Sequence, residues 1–439
     1  MENPHETLKV RKERVILMGA IIKGNDDGDN LEELTALAES AGAIVVDRFQ
    51  QKMATPHPMR YIGKGKAEML AERVQKYDAS VVIFDNDLSP RQIRELEEGI
   101  NARVIDRSEL ILDIFASRAQ TAQAKLQVEL AQLEYTYPRL TKMWSHLDSV
   151  AGAGGGTGAG AVGGVGTRGT GETQLEIDRR LIKKRVAELK AKLTKIDKRK
   201  IREISGRGGV FTACLVGYTN AGKSTVLNAL TGAGVYVEDK LFATLDTKTK
   251  KWEPAPSVPV LLSDTVGFVR DIPHHLVASF KATLEEAVNA DLLIHVIDVS
   301  SADVLKKVES VKKVLKEIGC GNKEVLGVFN KVDIVKDLEP LEILQTMFPD
   351  ALTISAKTGF GLDELARTVA QKCKGLQMHL KITVGACEGK LQSFLRSLGG
   401  SVIDEQYDGD KVIFEVKIGE SQFLNLQKLK KKDIEIEHI

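Results

Sequence analysis

The sequence has few cysteines, almost no net charge and no long apolar run. Its four cysteines are far apart and form no CxxC pair, which argues against a disulfide framework and a zinc site and favours a reducing cytosol. The net charge of +1 gives no polyanion signal for the whole chain, so a nucleic-acid surface would have to come from local clusters.

No apolar stretch approaches the ~20 residues that cross a bilayer. Val15–Ile22 reads as a β-strand and not as a signal peptide. We therefore expect a cytoplasmic protein without integral membrane association.

The 439 residues are too many for one compact core and predict several domains. Residues 1–106 alternate apolar runs with amphipathic segments, which is typical of a small α/β domain with a mostly parallel sheet. Residues 107–207 contain two long amphipathic seams, one over Ser108–Tyr137 and one from Leu175 to Ile196, which predict an arm of two antiparallel helices. Residues 208–375 and 376–439 read as two further α/β domains, the last with the order β-α-β-β-α.

The arm has two unusual stretches. Residues 151–171 consist almost wholly of glycine and other small residues, so we expect a flexible loop at the tip of the arm, although composition alone favours a plain linker. Between Arg179 and Arg202, lysines and arginines far outnumber the acids Glu188 and Asp197. This imbalance favours binding to a polyanion such as RNA phosphate over the alternative, a merely solvated helix face.

The most specific motif is a glycine-rich loop between an apolar run and a helical one. Phe211–Val216 precedes the pattern GxxxxGK[ST] in the strand-loop-helix context that this motif requires. Backbone N–H groups of such a loop cradle phosphates, and we expect Lys223 to reach the β- and γ-phosphates and Ser224 to ligate Mg²⁺. The predicted phosphate loop comprises Gly217, Tyr218, Thr219, Asn220, Ala221, Gly222, Lys223, Ser224 and Thr225.

Two further segments complete the predicted phosphate and metal site. The strand Val258–Ser263 ends in Asp264, Thr265, Val266 and Gly267, where the aspartate can hold Mg²⁺ through a water and the Gly267 N–H can meet the γ-phosphate. The switch segment is Phe242, Ala243, Thr244, Leu245 and Asp246, in which Thr244 supplies the expected metal-binding hydroxyl; Thr247 and Thr249 are the alternatives. The predicted metal ligands are thus Ser224, Thr244 and Asp264, and the predicted catalytic groups are Lys223, Thr244 and Gly267.

The last two motifs select the base. Asn330, Lys331, Val332 and Asp333 close the strand Val325–Phe329, and the aspartate can accept hydrogen bonds from guanine N1–H and the 2-amino group, which adenine lacks. Ser355, Ala356 and Lys357 follow the next strand and can place a backbone N–H at guanine O6. The phosphate loop, the segment Asp264–Gly267 and the two base-selecting motifs, in this order along the chain, predict a P-loop GTPase domain whose substrate is GTP. Phe268 stands where many GTPases carry a water-orienting glutamine, so we expect slow intrinsic hydrolysis and activation by a partner.

These residues resemble the HflX family of ribosome-associated GTPases over about residues 14–370. The resemblance is carried by Gly169–Arg180, the GYTNAGKST loop from Gly217, FATLD from Phe242, DTVGF from Asp264, and Tyr61–Lys66. It implies binding of the chain to the large ribosomal subunit and its rRNA, and splitting of stalled or idle ribosomes with the arm loop reaching toward the peptidyl transferase centre. The chain departs from the family pattern in its lengthened arm loop and in the residues after about 376.

Two alternatives remain at this stage. The first is an RNA-binding or remodelling protein in which GTP sets affinity and the N-terminal domain uses ATP at Gly63–Lys66, a segment that otherwise reads as a lysine-bearing turn. The second is a role in tRNA modification or membrane-linked signalling, which the lack of a catalytic Cys motif, a one-carbon site or a lipid anchor disfavours. We expect the chain to act as a monomer.

Overall fold

The computed structural model describes most of the chain. The described residues fall into two compact units, and the division between them along the chain follows Ala191. No helix of the described part is both long enough and apolar enough to cross a membrane. The described residues are 12–22, 31–153, 174–205, 210–232, 234, 241–242, 247–256, 258–270, 284–335, 339–375, 378–385, 388–397, 402–418, 423, 426 and 434–439.

The first unit opens with a four-stranded sheet whose strand pairs are all parallel, in the order β2-β1-β3-β4. Helices alternate with the strands, and β3 is buried at every position, as expected for a sheet covered on both faces. The predicted N-terminal α/β domain is therefore confirmed. Its elements are β1 (Arg14–Ile22), α1 (Glu32–Ser40), β2 (Ile44–Met53), α2 (Lys64–Tyr77), β3 (Val81–Phe84), α3 (Pro90–Ile100), β4 (Arg103–Asp106) and α4 (Arg107–Arg118).

The expected single helix over Ser108–Tyr137 is wrong. The chain forms α4, which packs on α1 and β3, and then a separate helix α5 (Ala122–Ala153). Ala119 leaves the helical conformation with ψ 110°, and the Thr121 hydroxyl accepts a hydrogen bond from Ala124 N at 3.1 Å, which starts the new helix. The apolar spacing runs through this break because both helices bury a face.

The second long helix, α6 (Gln174–Ser205), is confirmed, and it contacts α5 through charged side chains. The Arg185 guanidinium donates hydrogen bonds to both carboxylate oxygens of Glu129, at 2.7 and 2.9 Å. The Lys190 ammonium forms an ion pair with Glu134 at 2.8 Å. The antiparallel direction of the pair stays a prediction. Helix α5 extends to Ala153, and residues 154–173, most of the predicted tip loop, lie outside the described residues.

The second unit begins with a six-stranded sheet in the order β10-β9-β8-β5-β7-β6, in which only β6 is antiparallel to its neighbour. Its core is apolar and includes Trp252 of β6. The carboxyl ends of β5, β7 and β9 lie at one edge of the sheet. The elements are β5 (Phe211–Val216), α7 (Lys223–Thr231), β6 (Lys248–Ala255), β7 (Val258–Asp264), α8 (Glu285–Asn289), β8 (Leu292–Asp298), α9 (Val304–Glu317), β9 (Val325–Asn330), α10 (Glu339–Met347), β10 (Leu352–Thr353) and α11 (Leu362–Gly375).

A small antiparallel sheet follows, in the order β12-β13-β11-β14. The predicted β-α-β-β order is confirmed, but the sequence analysis missed β14, a short strand with mostly exposed residues. The second predicted helix, residues 421–429, lies mainly outside the described residues. The elements are β11 (Met378–Gly385), α12 (Gly389–Ser397), β12 (Val402–Asp408), β13 (Lys411–Ile418) and β14 (Glu435–His438).

Candidate active site

The loop between β5 and α7 requires glycine at two points. Gly217 has φ 152°, and a Cβ there would lie 2.3 Å from the carbonyl oxygen of Val296. Gly222 has φ 91°, and its Cβ would lie 2.4 Å from the side-chain nitrogen of Asn330. Gly222 is also the residue before α7, and no side chain caps that helix. The amino end of α7 is thus presented to the loop as an anion-binding helix terminus.

Lys223 lies at the centre of this loop. Its ammonium group donates hydrogen bonds to the carbonyl oxygens of Gly217 at 3.1 Å and Tyr218 at 2.8 Å, and the side chain is buried. Burial lowers the pKa of Lys223 to about 8, although the nearby carboxylate of Asp264 opposes this shift. The amine is therefore a poorly solvated cation, held where the loop can bind phosphate.

Ser224 and Asp264 bring two oxygen ligands together beside the loop. The Ser224 hydroxyl donates to Oδ2 of Asp264 at 2.5 Å, and Asp264, the last residue of β7, is fully buried. Hard oxygen donors of this kind suit Mg²⁺, which keeps water and phosphate oxygens in the rest of its coordination shell. The described residues contain no group of three or more His, Cys, Asp or Glu side chains able to hold a metal.

The segment after Asp264 pairs directly with the phosphate loop. Phe268 donates its N–H to the Gly217 carbonyl at 3.2 Å, and Thr219 donates its N–H to the Phe268 carbonyl at 2.7 Å. Gly267 lies close to the phosphate loop: a Cβ at this position would be 2.7 Å from Thr219 Cα and 2.9 Å from Lys223 Nζ. The Phe268 ring is buried. The sequence analysis missed this pairing, which makes Phe268 an anchor of the segment.

Asn330 connects the phosphate loop to the second predicted base-binding loop. Its side-chain nitrogen donates to the Ala221 carbonyl at 2.9 Å, and its side-chain oxygen accepts from Ala356 N at 3.0 Å. Ser355 is buried and its hydroxyl accepts from Thr358 N at 3.2 Å, which shapes the turn after Ala356. Asp333 is exposed, and within the described part of the chain no hydrogen bond or ion pair engages its carboxylate. Its acceptor oxygens are available to a base.

The switch segment is only partly described. Phe242 is buried with φ 56°, whereas Ala243, Thr244, Leu245 and Asp246 lie outside the described residues, so the metal-binding role of Thr244 stays a prediction. Of the two alternatives, Thr249 lies on β6 with its hydroxyl 2.8 Å from that of Ser263, which gives it a place between strands.

At the start of α2, the two lysines of the segment Gly63–Lys66 contact other side chains of the N-terminal domain. Lys64 lies 3.8 Å from Glu68, one helical turn away, and the Lys66 ammonium lies 4.9 Å from the ring centroid of Phe49. Both lysines therefore have partners within the N-terminal domain. These contacts favour the lysine-bearing turn over an anion site.

The sheet order, the phosphate loop after β5 and the base-reading segment after β9 define a P-loop GTPase. Models of three protein families match the chain: "GTP-binding GTPase N-terminal" at residues 28–116, "GTP-binding GTPase Middle Region" at 118–207, and "50S ribosome-binding GTPase" at 212–331. The chain is therefore a GTPase and hydrolyses GTP.

Relatives named GTPase HflX resemble the chain over most of its length. The protein of Lacrimispora saccharolytica is 40% identical over 424 residues, 95% of this chain and 96% of that protein. The protein of Escherichia coli K12 is 41% identical over 384 residues, 87% of this chain and 88% of that protein. The chain therefore belongs to the HflX family of GTPases. A solved GTP-binding protein from Sulfolobus solfataricus in complex with GDP is 26% identical, with 83% of this chain and 99% of that one covered and a TM-score of 0.44.

Proposed function

We propose that the protein is a Mg²⁺-dependent GTPase that binds the large ribosomal subunit and couples GTP binding and hydrolysis to the splitting of stalled or idle ribosomes. The observation that carries this proposal is the match of residues 212–331 to a family described as 50S ribosome-binding GTPases, a segment that contains the phosphate loop, the switch segment and Asp264–Gly267. GTP and water enter as substrates, and GDP and inorganic phosphate leave as products.

In this proposal, different residues bind the phosphates, the guanine base and the metal ion. Lys223 contacts the β- and γ-phosphates, Gly267 offers its N–H to the γ-phosphate, and Asp333 accepts from the guanine edge. Ser224, Asp264 and Thr244 would hold the metal ion. When bound, Mg²⁺ neutralises charge on the phosphate oxygens. The hydrogen bond of 2.5 Å between the Ser224 hydroxyl and the buried Asp264 carboxylate supports this assignment.

Activation by a partner follows from Phe268. Its buried ring offers no polar group to orient a water molecule, and its backbone holds the segment against Gly217 and Thr219. A macromolecule that orders the switch segments supplies what the isolated chain lacks. We propose that rRNA and the large subunit have this role.

Helix α6 supplies the RNA-binding surface in this proposal. Lys183, Lys184, Lys192 and Lys195 are exposed. Lysines that contact phosphate release counterions, so binding should weaken with rising salt. We propose that the glycine-rich segment up to residue 171, in which Arg168 is the only long side chain, extends this surface.

The test is GTP turnover with and without purified large ribosomal subunits. Three proteins are compared: the wild type, Lys223→Ala, and a variant shortened at residues 152–166. We expect strong stimulation in the wild type, none in Lys223→Ala and reduced stimulation in the shortened variant, with light scattering of whole ribosomes as the assay for splitting. A turnover rate that ribosomes leave unchanged would overturn the ribosomal part of the proposal and leave the GTPase activity standing.

A further inference from the structure

Asp298 and Lys331 form an ion pair at the edge of the sheet where the base-reading segment begins. Lys331 Nζ lies 2.8 Å from Oδ2 of Asp298, and the two side chains are 26% and 20% exposed. Asp298 is the last residue of β8 and is in register with Asn330, the last residue of β9. Lys331 follows Asn330 directly and lies in the left-handed region with φ 66°.

The Asp298 carboxylate is held from its other side as well. Its Oδ1 accepts hydrogen bonds from the backbone N–H of Ser300 at 3.0 Å and from the Ser300 hydroxyl at 2.5 Å. The two strand ends are also linked, because Val299 N donates to the Asn330 carbonyl at 3.2 Å. The Oδ1 atom of Asp298 is thus held by Ser300, and the Oδ2 atom forms the ion pair with Lys331.

We infer that Asp298 is a positioning residue for nucleotide binding: it ties down the Lys331 ammonium so that the lysine stem forms a fixed apolar wall beside the guanine ring. This inference rests on the proposed nucleotide site. Lys331 follows Asn330, which is bonded to the phosphate loop, and precedes by two residues Asp333, whose side chain is exposed. In this inference the Lys331 stem borders the space that the base enters. A lysine stem can cover apolar surface while its charged end stays at a polar partner.

The physical gain is preorganisation. A free lysine side chain loses rotamer entropy when a ligand fixes it, whereas a stem that is already held loses little. The contact involves only the base, which is the same in GTP and GDP. Asp298→Asn should therefore weaken the binding of both nucleotides by the same factor, about five- to tenfold, mainly through faster dissociation. Because the phosphate groups are untouched, kcat at saturating GTP should not change.

The experiment measures the Kd and dissociation rate of fluorescent GDP and GTP, together with kcat and KM, for the wild type, Asp298→Asn, Lys331→Met and the double variant. Methionine keeps an apolar stem without the charge. If Asp298 acts through Lys331, then Asp298→Asn has no further effect in the Lys331→Met background. A matched control is Glu324→Gln, which breaks the Lys372–Glu324 ion pair of 2.5 Å at the start of β9, the opposite end of that strand.

Three results would overturn the inference: an unchanged Kd in Asp298→Asn, a fall in kcat with Kd unchanged, or a full effect of Asp298→Asn in the Lys331→Met background. Failure of the wild type to bind GTP would be a different result, since it would overturn the proposed nucleotide site itself. An equal loss of affinity in Glu324→Gln would show a general loss of stability and would also reject the specific role of Asp298.

Discussion

The side-chain amide of Asn330 donates a hydrogen bond to the backbone carbonyl of Ala221, over 2.9 Å. Through this contact, the residue that ends β9 holds the phosphate loop that follows β5. The same amide accepts from Ala356 N, so one buried side chain fixes both the phosphate end and the base end of the site. Asn330 is therefore a structural member of the motif, whereas Asp333, three residues later, is exposed to a ligand.

Replacement of Asn330 by alanine tests whether Asn330 has a structural role and Asp333 a ligand-binding one. The variant leaves the Ala221 carbonyl and the Ala356 N–H buried without their partner, which should lower the free energy of unfolding by about 2–3 kcal/mol. Asp333→Ala should leave stability within about 0.5 kcal/mol of the wild type while abolishing guanine selectivity. Urea denaturation without nucleotide gives the first quantity, and competition of GTP against ATP gives the second. Equal stability losses in the two variants would contradict the assignment.

The lowered pKa of Lys223 predicts a pH-dependent affinity for nucleotide. The free protein loses this proton above about pH 8, and bound phosphates favour the charged amine, so binding at higher pH requires proton uptake. Affinity should therefore fall about tenfold per pH unit above this pKa. Titration of fluorescent GDP between about pH 7 and 9.5 measures the slope. Lys223→Met is the control, because it keeps the titration of the nucleotide and lacks that of the lysine. An equal slope of affinity against pH in both proteins would contradict the role of Lys223.

Gly267→Ala tests the close approach of this segment to the phosphate loop. The added methyl group would lie 2.7 Å from Thr219 Cα, so the segment has to move away from the loop and carry the Gly267 N–H with it. We expect GTP hydrolysis to fall about 100-fold, the size of effect seen for the loss of one preorganised donor to a developing charge. GDP binding should be largely kept. Gly321→Ala is the control, because its Cβ would meet nothing nearer than 3.7 Å; normal turnover by Gly267→Ala would show that the N–H is not used.

His295 predicts a loss of stability in acid. Burial, with Lys312 and Lys223 adding to it, lowers the pKa of His295 to about 3, whereas in the unfolded chain it is about 6.5. Between these values only the unfolded chain takes up the proton, so stability falls with decreasing pH by about 1.4 kcal/mol per unit. The comparison of unfolding curves for wild type and His295→Gln from about pH 7 to 4.5 isolates this contribution. A difference between the two proteins that stays constant with pH would contradict it.

The motifs of the GTPase domain could be predicted because each requires a particular residue for a local chemical reason. Glycine at 217 and 222 is dictated by backbone conformation, and Lys223 and Ser224 follow from the chemistry of phosphate and Mg²⁺. The pairing of Phe268 with Gly217 and Thr219 could not be predicted, since it consists of backbone hydrogen bonds between segments about 50 residues apart, which leave no pattern in the side chains.

One error elsewhere has a similar cause. The break between α4 and α5 depends on Ala119 and on the hydroxyl of Thr121, which the apolar spacing of the two helices hides. Strand β14, by contrast, lies in a run that alternates isoleucine and glutamate from Ile434 to Glu437, a pattern that predicts a strand and that was overlooked; the strand pairs with β11.

Trp252, buried in the core beside β7, gives the molecule a spectroscopic use. The sequence contains only one other tryptophan, Trp144 on α5, in the other compact unit. In a Trp144→Phe variant, the remaining indole emission would therefore report on the GTPase domain alone. Fluorescence could then follow the unfolding of that domain inside the full chain without any attached label.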